Sequence, residues 1–405
     1  MLNFLTGVMT FVVPFLLVLT AVVTVHELGH FVAARSFGVA VDRFSIGFGR
    51  AIVSWRDRAG VEWRIGWIPF GGYVRFAGDE NEASVPDEDH LEALRAEVVR
   101  REGAGALSRY YHFKPLWQRA VVAAAGPAAN FVLATLLFAS LLFALGEETL
   151  PARVAKVAPG SPAAAAGFMP GDLVVTAAGR PLRNFDDLSE TVQLRGGTPV
   201  VFVIERGGRK VTLTATPAWR EIKSPIRGTQ RVGQIGIVPP QARSDYVMVR
   251  YGPLEALAGG AHRTWEVLST TVFYLGRIIT GQVDADQISG PLGIANVTGK
   301  VAQLSAEGAP DLGSMLLAVG VNLVQITGLL SVSIGFMNLL PIPILDGGHL
   351  LFYAYEAVAR RPLTAKVQAA GYRVGLALVL GLMLFATWND LQQLRVFKLL
   401  GHLLS

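Results

Sequence analysis

The sequence has no cysteine in 405 residues. Disulfide bridges, thiolate metal sites and thiol nucleophiles are therefore excluded, and any metal has to be held by histidine, aspartate or glutamate. Charge is also scarce: Asp, Glu, Lys and Arg make up 17% of the chain against 51% hydrophobic residues. That balance is too apolar for an ordinary soluble enzyme and fits a membrane protein. Basic residues outnumber acidic ones only slightly (36 against 31), and no dense Lys/Arg block with interleaved aromatics occurs. Nucleic acid is thus not an expected partner, and lipid headgroups account for the positive balance.

What the chain has in quantity is long apolar runs. Four stretches, roughly 4–32, 120–146, 315–340 and 367–388, reach the about 20 residues a helix needs to cross hydrocarbon. The first lacks a basic leader and continues without a convincing cleavage site, so it reads as a retained span rather than a signal peptide. Arg35, Arg43 and Arg50 follow the first span, Arg109, Lys114 and Arg119 flank the second, and Arg360, Arg361 and Lys366 lie between the third and fourth. By the positive-inside rule these loops are cytosolic, which places both termini and residues 147–314 outside the cytosol. The expected protein is multi-pass, with the HExxH at 26–30 toward the cytosolic side.

The first apolar run contains His26, Glu27, Leu28, Gly29 and His30. On a helix the two histidines of such an HExxH project from one face, where they can share a metal while Glu27 stands beside an open coordination position. Three ionisable side chains in hydrocarbon are costly and call for a functional reason. The motif lies near the cytosolic end of its span. A catalytic zinc takes three protein ligands and one exchangeable water, so one ligand has to come from elsewhere. After the third span, residues 338–349 read NLLPIPILDGGH. Its alternate prolines prevent a regular helix and its glycine pair permits close backbone approach. Irregular backbone at membrane depth is tolerated only against protein or a water-filled cavity. Asp346, at the break, is the preferred third ligand; His349, three residues on, is its rival.

Four regions follow: 1–146 with spans one and two, the HExxH and a cytosolic loop; 147–240, a small α+β domain outside the cytosol; 241–314, an amphipathic connector; and 315–405 with spans three and four. In the first loop, Trp63–Phe76 is aromatic and β-branched around Pro69-Phe70-Gly71-Gly72 and reads as an apolar β-hairpin. It either lies on the headgroups or reaches toward the HExxH, where Gly71, Gly72 and Tyr73 would offer an edge to an extended chain. Residues 79–104 read as an acidic, then mixed-charge segment with a solvated helix. In the second region, short β-rich runs alternate with Gly and Pro turns and helical stretches at 161–167 and 185–194. Ser161–Leu182 resembles the helix, turn and strand of bacterial PDZ domains, with Gly171 and Asp172 at the turn; one copy is seen. Gly233–Ile237 supplies either the carboxylate-binding loop of a permuted PDZ domain or an ordinary closing strand. Residues 251–302 are amphipathic, with a turn at 288–293, and serve as a gate or brace along the outer membrane surface or as interfacial packing.

Taken together, HELGH in the first span, GPAANF at 126–131 in the second, a single PDZ-like insert and NLLPIPILDGG at 338–348 resemble the site-2 protease family, in particular its RseP-like bacterial intramembrane zinc metalloproteases. The resemblance covers essentially the whole chain. It implies a polytopic α-helical membrane protein with about four transmembrane helices, a membrane-associated β-hairpin and an extracytoplasmic α+β PDZ-like domain. It further implies Zn²⁺ on His26, His30 and Asp346, Glu27 as catalytic acid/base, and Asn338 holding the substrate strand or stabilising the oxyanion. Its implied substrates are single-pass membrane proteins already shortened by another protease, such as anti-sigma factors, and signal-peptide remnants. Two departures stand out: relatives with tandem PDZ domains have one more than this chain, and a second asparagine found five residues before Asn338 in some relatives is Ser333 here. Two rival readings are a catalytically silent PDZ-bearing scaffold with a bracing metal, and a zinc transporter using the same three ligands.

Overall fold

The computed structural model describes residues 11–78, 88–224, 228–240, 242–281, 290–307 and 310–393. Two compact units result, residues 1–140 with 257–405, and residues 141–256.

The first unit is built on helices α1 (Val13–Ser36), α3 (Leu116–Leu145), α8 (Leu312–Asn338) and α10 (Ala365–Gln393). Among the described residues these four are the helices long and apolar enough to cross a membrane. Straight and branched aliphatic residues dominate them, Pro14 opens the first turn of α1, and Arg35 stands in its last turn, beside the negative end of the helix dipole. Large apolar side chains such as Leu17, Leu136, Leu316 and Leu384 stay exposed on the protein, which suits a surface whose solvent is lipid. The expected spans are thus reproduced with ends displaced by up to five residues, the start of the first lying outside the described residues.

After α1 come strands β1 (Val41–Arg56) and β2 (Glu62–Phe76). Residues 63–76 reverse direction as expected, since Trp63–Ile65 run parallel and Gly72–Val74 antiparallel to Phe44–Ile46, but the two arms flank that segment instead of pairing with each other, and the closed hairpin is the one between the end of β1 and the start of β2. Its reversal lies at 57–61, where Asp57 Oδ1 accepts from the N–H groups of Ala59 (2.8 Å) and Val61 (3.0 Å) and Gly60 takes φ 86°. An aspartate that bonds the backbone two residues on is a turn former in its own right. Gly71 adopts φ 88° within the second reversal, between Ile65 and Gly72. β1 also bends at Gly47 and Gly49, so that Phe44 lies opposite Val74 on one side and Trp63 on the other. Phe44, Val74, Phe76, Val61 and Val39 form a buried cluster with Ala34 of α1 and Val122 of α3. This cluster seats the sheet against the end of α1 that carries the histidines. Thr20 Oγ1 donates to the Pro69 carbonyl at 2.9 Å, a second tie between α1 and β2.

Helix α2 (Glu88–Glu102) is the solvated helix expected in the mixed-charge segment, whose residues 79–87 lie outside the described residues. Helix α6 (Pro253–Ile279) packs on α3 rather than standing alone at a surface. A Cβ on Gly260 would lie 2.7 Å from Ala139 N, and the Thr264 and Thr135 hydroxyls are 3.1 Å apart. Helix α7 (Pro291–Glu307) is capped from α10, where buried Asp390 accepts from Gly290 N (3.0 Å) and Gly293 N (2.8 Å). The turn expected at 288–293 falls partly outside the described residues. Helix α9 (Asp346–Ala359) starts at Asp346, after the break at 339–345.

The second unit is α+β. Strands β3 (Glu147–Thr149) and β4 (Lys156–Val157) precede helix α4 (Pro162–Ala165), and β5 (Leu173–Ala177) and β6 (Arg180–Pro181) precede α5 (Phe185–Gln193). There follow β7 (Val200–Arg206), β8 (Arg209–Ala215), β9 (Ala218–Ser224), β10 (Gly228–Gln234), β11 (Ile237–Val238) and β12 (Val247–Val249). The main sheet runs β6-β5-β7-β8. Its core gathers Phe168, Val174, Leu188, Phe202 and Ile204. Ser161 and Asn184, the residues that cap α4 and α5, accept from Ala164 N and Asp187 N. Gly233–Ile237 spans the end of β10, a break at 235–236 and the start of β11: Ile235 and Gly236 carbonyls accept from Ala163 N and Ala158 N, and Ile237 pairs with Val157. Asp172, buried at the turn, accepts from Arg206 Nε and Nη2, each at 2.7 Å, and from Met169 N at 2.8 Å.

Candidate metal centre

Helix α1 places His26 and His30 one turn apart, with their Nε2 atoms at 3.2 Å and ring centroids at 4.8 Å. Across from them stands Asp346, at the first position of α9. Its Oδ2 lies 3.1 Å from His26 Nε2, and its Oδ1 lies 3.4 Å from His30 Nε2. The broken segment makes this possible. Pro341 and Pro343 interrupt the helix, and a Cβ on Gly347 or Gly348 would collide with the Leu339, Leu340 or Ile342 carbonyls. Both glycines therefore let the start of α9 fold back onto the end of α8.

Two imidazole nitrogens and a carboxylate oxygen converge within 4.8 Å, the one such His and acid group found among the described residues. Asp346 Oδ2 is buried and, despite its distance from His26, makes no aligned hydrogen bond. A buried carboxylate facing two imidazole nitrogens at such distances is an arrangement that a divalent cation would satisfy, and two N ligands and one O ligand suit zinc with a fourth position open. The residues present therefore fit the metal. His349, the rival ligand, lies outside this group: it lines the adjoining cavity with its ring 5.8 Å from Tyr372 and 6.4 Å from Tyr353.

The neighbouring helix α3 supports both histidines. His30 Nδ1 donates to the Val122 carbonyl at 2.8 Å, and His26 Nδ1 lies 3.2 Å from the Asn130 carboxamide. Between these two residues sits Gly126, whose missing side chain leaves room for the rings. Gly29 of α1 is equally tight, since a Cβ there would lie 2.7 Å from Ala129 Cβ.

Glu27 opens on a cavity of about 630 Å³ that also reaches Tyr111, Arg119, Asn338 and Tyr353. Val74 N–H is hydrogen-bonded to the Glu27 carboxylate, and a Cβ on Gly72 would lie 3.5 Å from Glu27 Cγ. Strand β2 thus runs directly beside the acid. The remaining residues expected on the strand behave differently. Gly71 packs against the Phe48 ring, and Tyr73 is 6% exposed, stacked on Phe48 at 5.8 Å with its hydroxyl taking a hydrogen bond from Arg43 at 3.3 Å. The Tyr73 side chain is committed to the sheet and is withdrawn here as a substrate contact. Asn338 ends α8 on the cavity wall, its amide donating to Ile334 O at 3.1 Å, while Ser333 bonds back to Leu329 O at 3.0 Å.

Sequence reasoning did not single out Val122, Gly126 and Asn130 as supports of the histidines, although they recur every four residues and so share one face of α3. It also missed the far wall of the cavity, where Arg119 pairs with Glu356 at 2.7 Å and Tyr111 meets Tyr353 at 3.0 Å. A polar residue in an otherwise apolar span, such as Asn130, was the available signal.

Comparison with known proteins gives the same picture. Metalloprotease MmpA of Caulobacter vibrioides is 52% identical over 98% of this chain and 100% of its own length. A candidate zinc metalloprotease of Agrobacterium fabrum is 40% identical over 97% of each chain, and one of Rickettsia conorii is 29% identical over 95% of this chain and 99% of its own. The model of peptidase family M50 matches residues 14–382. With that match over most of its length and near-complete coverage by such relatives, the chain belongs to peptidase family M50.

Proposed function

We propose that this protein is an integral-membrane zinc metallopeptidase that hydrolyses peptide bonds within transmembrane segments of single-pass membrane proteins. The observation that carries the reading is the convergence of Asp346 with His26 and His30, the two histidines and the adjacent Glu27 lying on α1, a helix of membrane-spanning length. When bound, zinc acts as a Lewis acid that polarises the scissile carbonyl and brings the pKa of its water toward ~7.

His26, His30 and Asp346 hold the metal. Glu27, on the next position of α1, takes a proton from the attacking water and returns it to the leaving amine nitrogen. Val74 N–H keeps that carboxylate turned toward the cavity. A transmembrane helix hides its peptide bonds behind its own hydrogen bonds, so the substrate has to unwind locally before attack. The backbone of β2 at Gly71 and Gly72 and the carboxamide of Asn338 hold the unwound stretch extended.

The distribution of arginine and lysine supports an orientation in which the sheet and the metal centre face the cytosolic side and residues 147–314 lie outside. In a bacterial inner membrane the second unit then acts as a PDZ-like filter that admits substrates shortened by another protease. Remnants of anti-sigma factors or signal peptides have the required single-pass form.

The test compares wild type with Glu27→Gln in membranes on a reporter containing a shortened single-pass substrate. Cleavage by wild type alone, abolished by a zinc chelator, is expected. Equal cleavage by both would overturn the protease reading and leave a zinc-braced scaffold in its place.

A further inference from the structure

Val122, Gly126 and Asn130 face the two histidines from α3, and each meets the imidazoles differently. Val122 offers a carbonyl, which can only accept. The proton of His30 therefore sits on Nδ1, and its Nε2 lone pair is directed at Asp346 and the centre.

His26 has a different partner. Its Nδ1 lies 3.2 Å from Asn130 Nδ2, and Asn130 Oδ1 is buried with no hydrogen-bond partner. Asn130 has 0% exposure. Its backbone is fixed from the other side, since Ser331 Oγ donates to the Asn130 carbonyl at 2.8 Å and a Cβ on Gly335 would lie 3.2 Å from Asn130 Cβ. The carboxamide is left with rotation about its own terminal bond. With Nδ2 toward the ring, His26 Nδ1 accepts and the ring proton sits on Nε2, 3.1 Å from Asp346 Oδ2, where it blocks coordination. With Oδ1 toward the ring, the buried oxygen gains its missing donor, Nδ1 carries the proton, and the Nε2 lone pair is freed.

We propose that Asn130 is a positioning residue that selects the metal-binding tautomer of His26, its Oδ1 accepting from Nδ1–H. A group that accepts from the distal nitrogen of a metal-bound histidine fixes the ring and raises its basicity. Val122 does this for His30 through the backbone, and Asn130 does it for His26 through a side chain. The inference rests on the reading that His26, His30 and Asp346 hold zinc.

The experiment uses the full-length protein in detergent, stripped of metal and titrated with Zn²⁺ against a competing chelator, with the Co²⁺ visible spectrum as a second readout. Asn130→Asp keeps an acceptor of the same size and is expected to bind within about threefold of wild type. Asn130→Leu keeps the bulk without the acceptor, and should bind about tenfold to a hundredfold more weakly with a shifted Co²⁺ spectrum at unchanged helical content. Zinc affinity and Co²⁺ spectrum of Asn130→Leu equal to wild type would overturn the role of Asn130 while leaving the centre intact. An Asn130→Asp protein as weak as Asn130→Leu would overturn it too, by showing that the ring requires the amide N–H. Wild type that binds no stoichiometric zinc would overturn the centre itself, and the positioning role with it.

Discussion

Gly126 lies against His30: a Cβ at this position of α3 would overlap the imidazole Nε2 and stand 2.8 Å from His26 Nε2. The two rings meet because this glycine is missing its side chain. A Gly126→Ala substitution adds only a methyl group, but backbone on one side and metal ligands on the other leave it nowhere to go. It is expected to lower zinc occupancy at least tenfold in a membrane protein that still inserts, as measured by metal analysis of the purified protein. Full occupancy would show that α1 and α3 can separate without opening the ligand set.

Glu27 is adjacent to the cluster of His26, His30 and Asp346 without being part of it. Glu27→Gln preserves size and is expected to leave zinc stoichiometry unchanged while lowering turnover by a factor of about 10²–10⁴, the usual contribution of a positioned acid/base. Paired metal analysis and reporter cleavage separate these two effects, and loss of zinc together with activity would make Glu27 a ligand instead.

Gly72 tests the sheet. A Cβ there would lie 2.6 Å from Ser45 O and 3.5 Å from Glu27 Cγ. Gly72→Ala should therefore push β2 from its partner strand and reduce cleavage about tenfold, the order of loss expected from a small misplacement near the chemistry, with zinc retained. Cleavage at the wild-type rate would show that the β2 backbone is not part of the substrate path.

Asp172 and Arg206 provide a pH-dependent contribution in the second unit. Burial alone would raise the Asp172 pKa, but the two hydrogen bonds from Arg206 and the one from Met169 N–H outweigh it and hold the carboxyl below its usual range. Because the folded pKa is depressed, the stabilisation is complete above the unfolded value of ~3.9 and is lost as pH falls through the lower folded one. Asp172→Asn should cost about 2 kcal/mol at neutral pH and flatten the acid limb of stability. Limited proteolysis of residues 141–256 across pH 2–7 in the intact protein follows both; an unchanged cleavage profile would mean that the ion pair does not stabilise the fold.

How much of this was legible in the sequence depends on how local each feature is. The four spans and the HExxH are read from periodicity and spacing within a few turns of one helix. Asp346 was reachable because prolines and glycines mark an irregular segment wherever they occur at membrane depth. The reversal around Pro69 to Gly72 was legible, but not its pairing: the two arms of β2 lie on either side of Phe44–Ile46 rather than against each other, a strand order that no local pattern encodes. Gly126 and Asn130 stood out in the sequence within GPAANF, but their role and that of Val122 beside the histidines did not, because it depends on which face of α3 meets α1, a relation between residues about a hundred positions apart that no local pattern encodes.

The ligand cluster also imposes an order on biosynthesis. His26 and His30 enter the membrane with the first span, while Asp346 follows the whole second unit and the third span. A chain still being made therefore carries half a centre. With zinc held by His26, His30 and Asp346 as proposed, newly inserted protein would stay proteolytically silent until the last quarter of its translation is under way, and any truncation before that point would yield an inert membrane anchor rather than an unregulated enzyme.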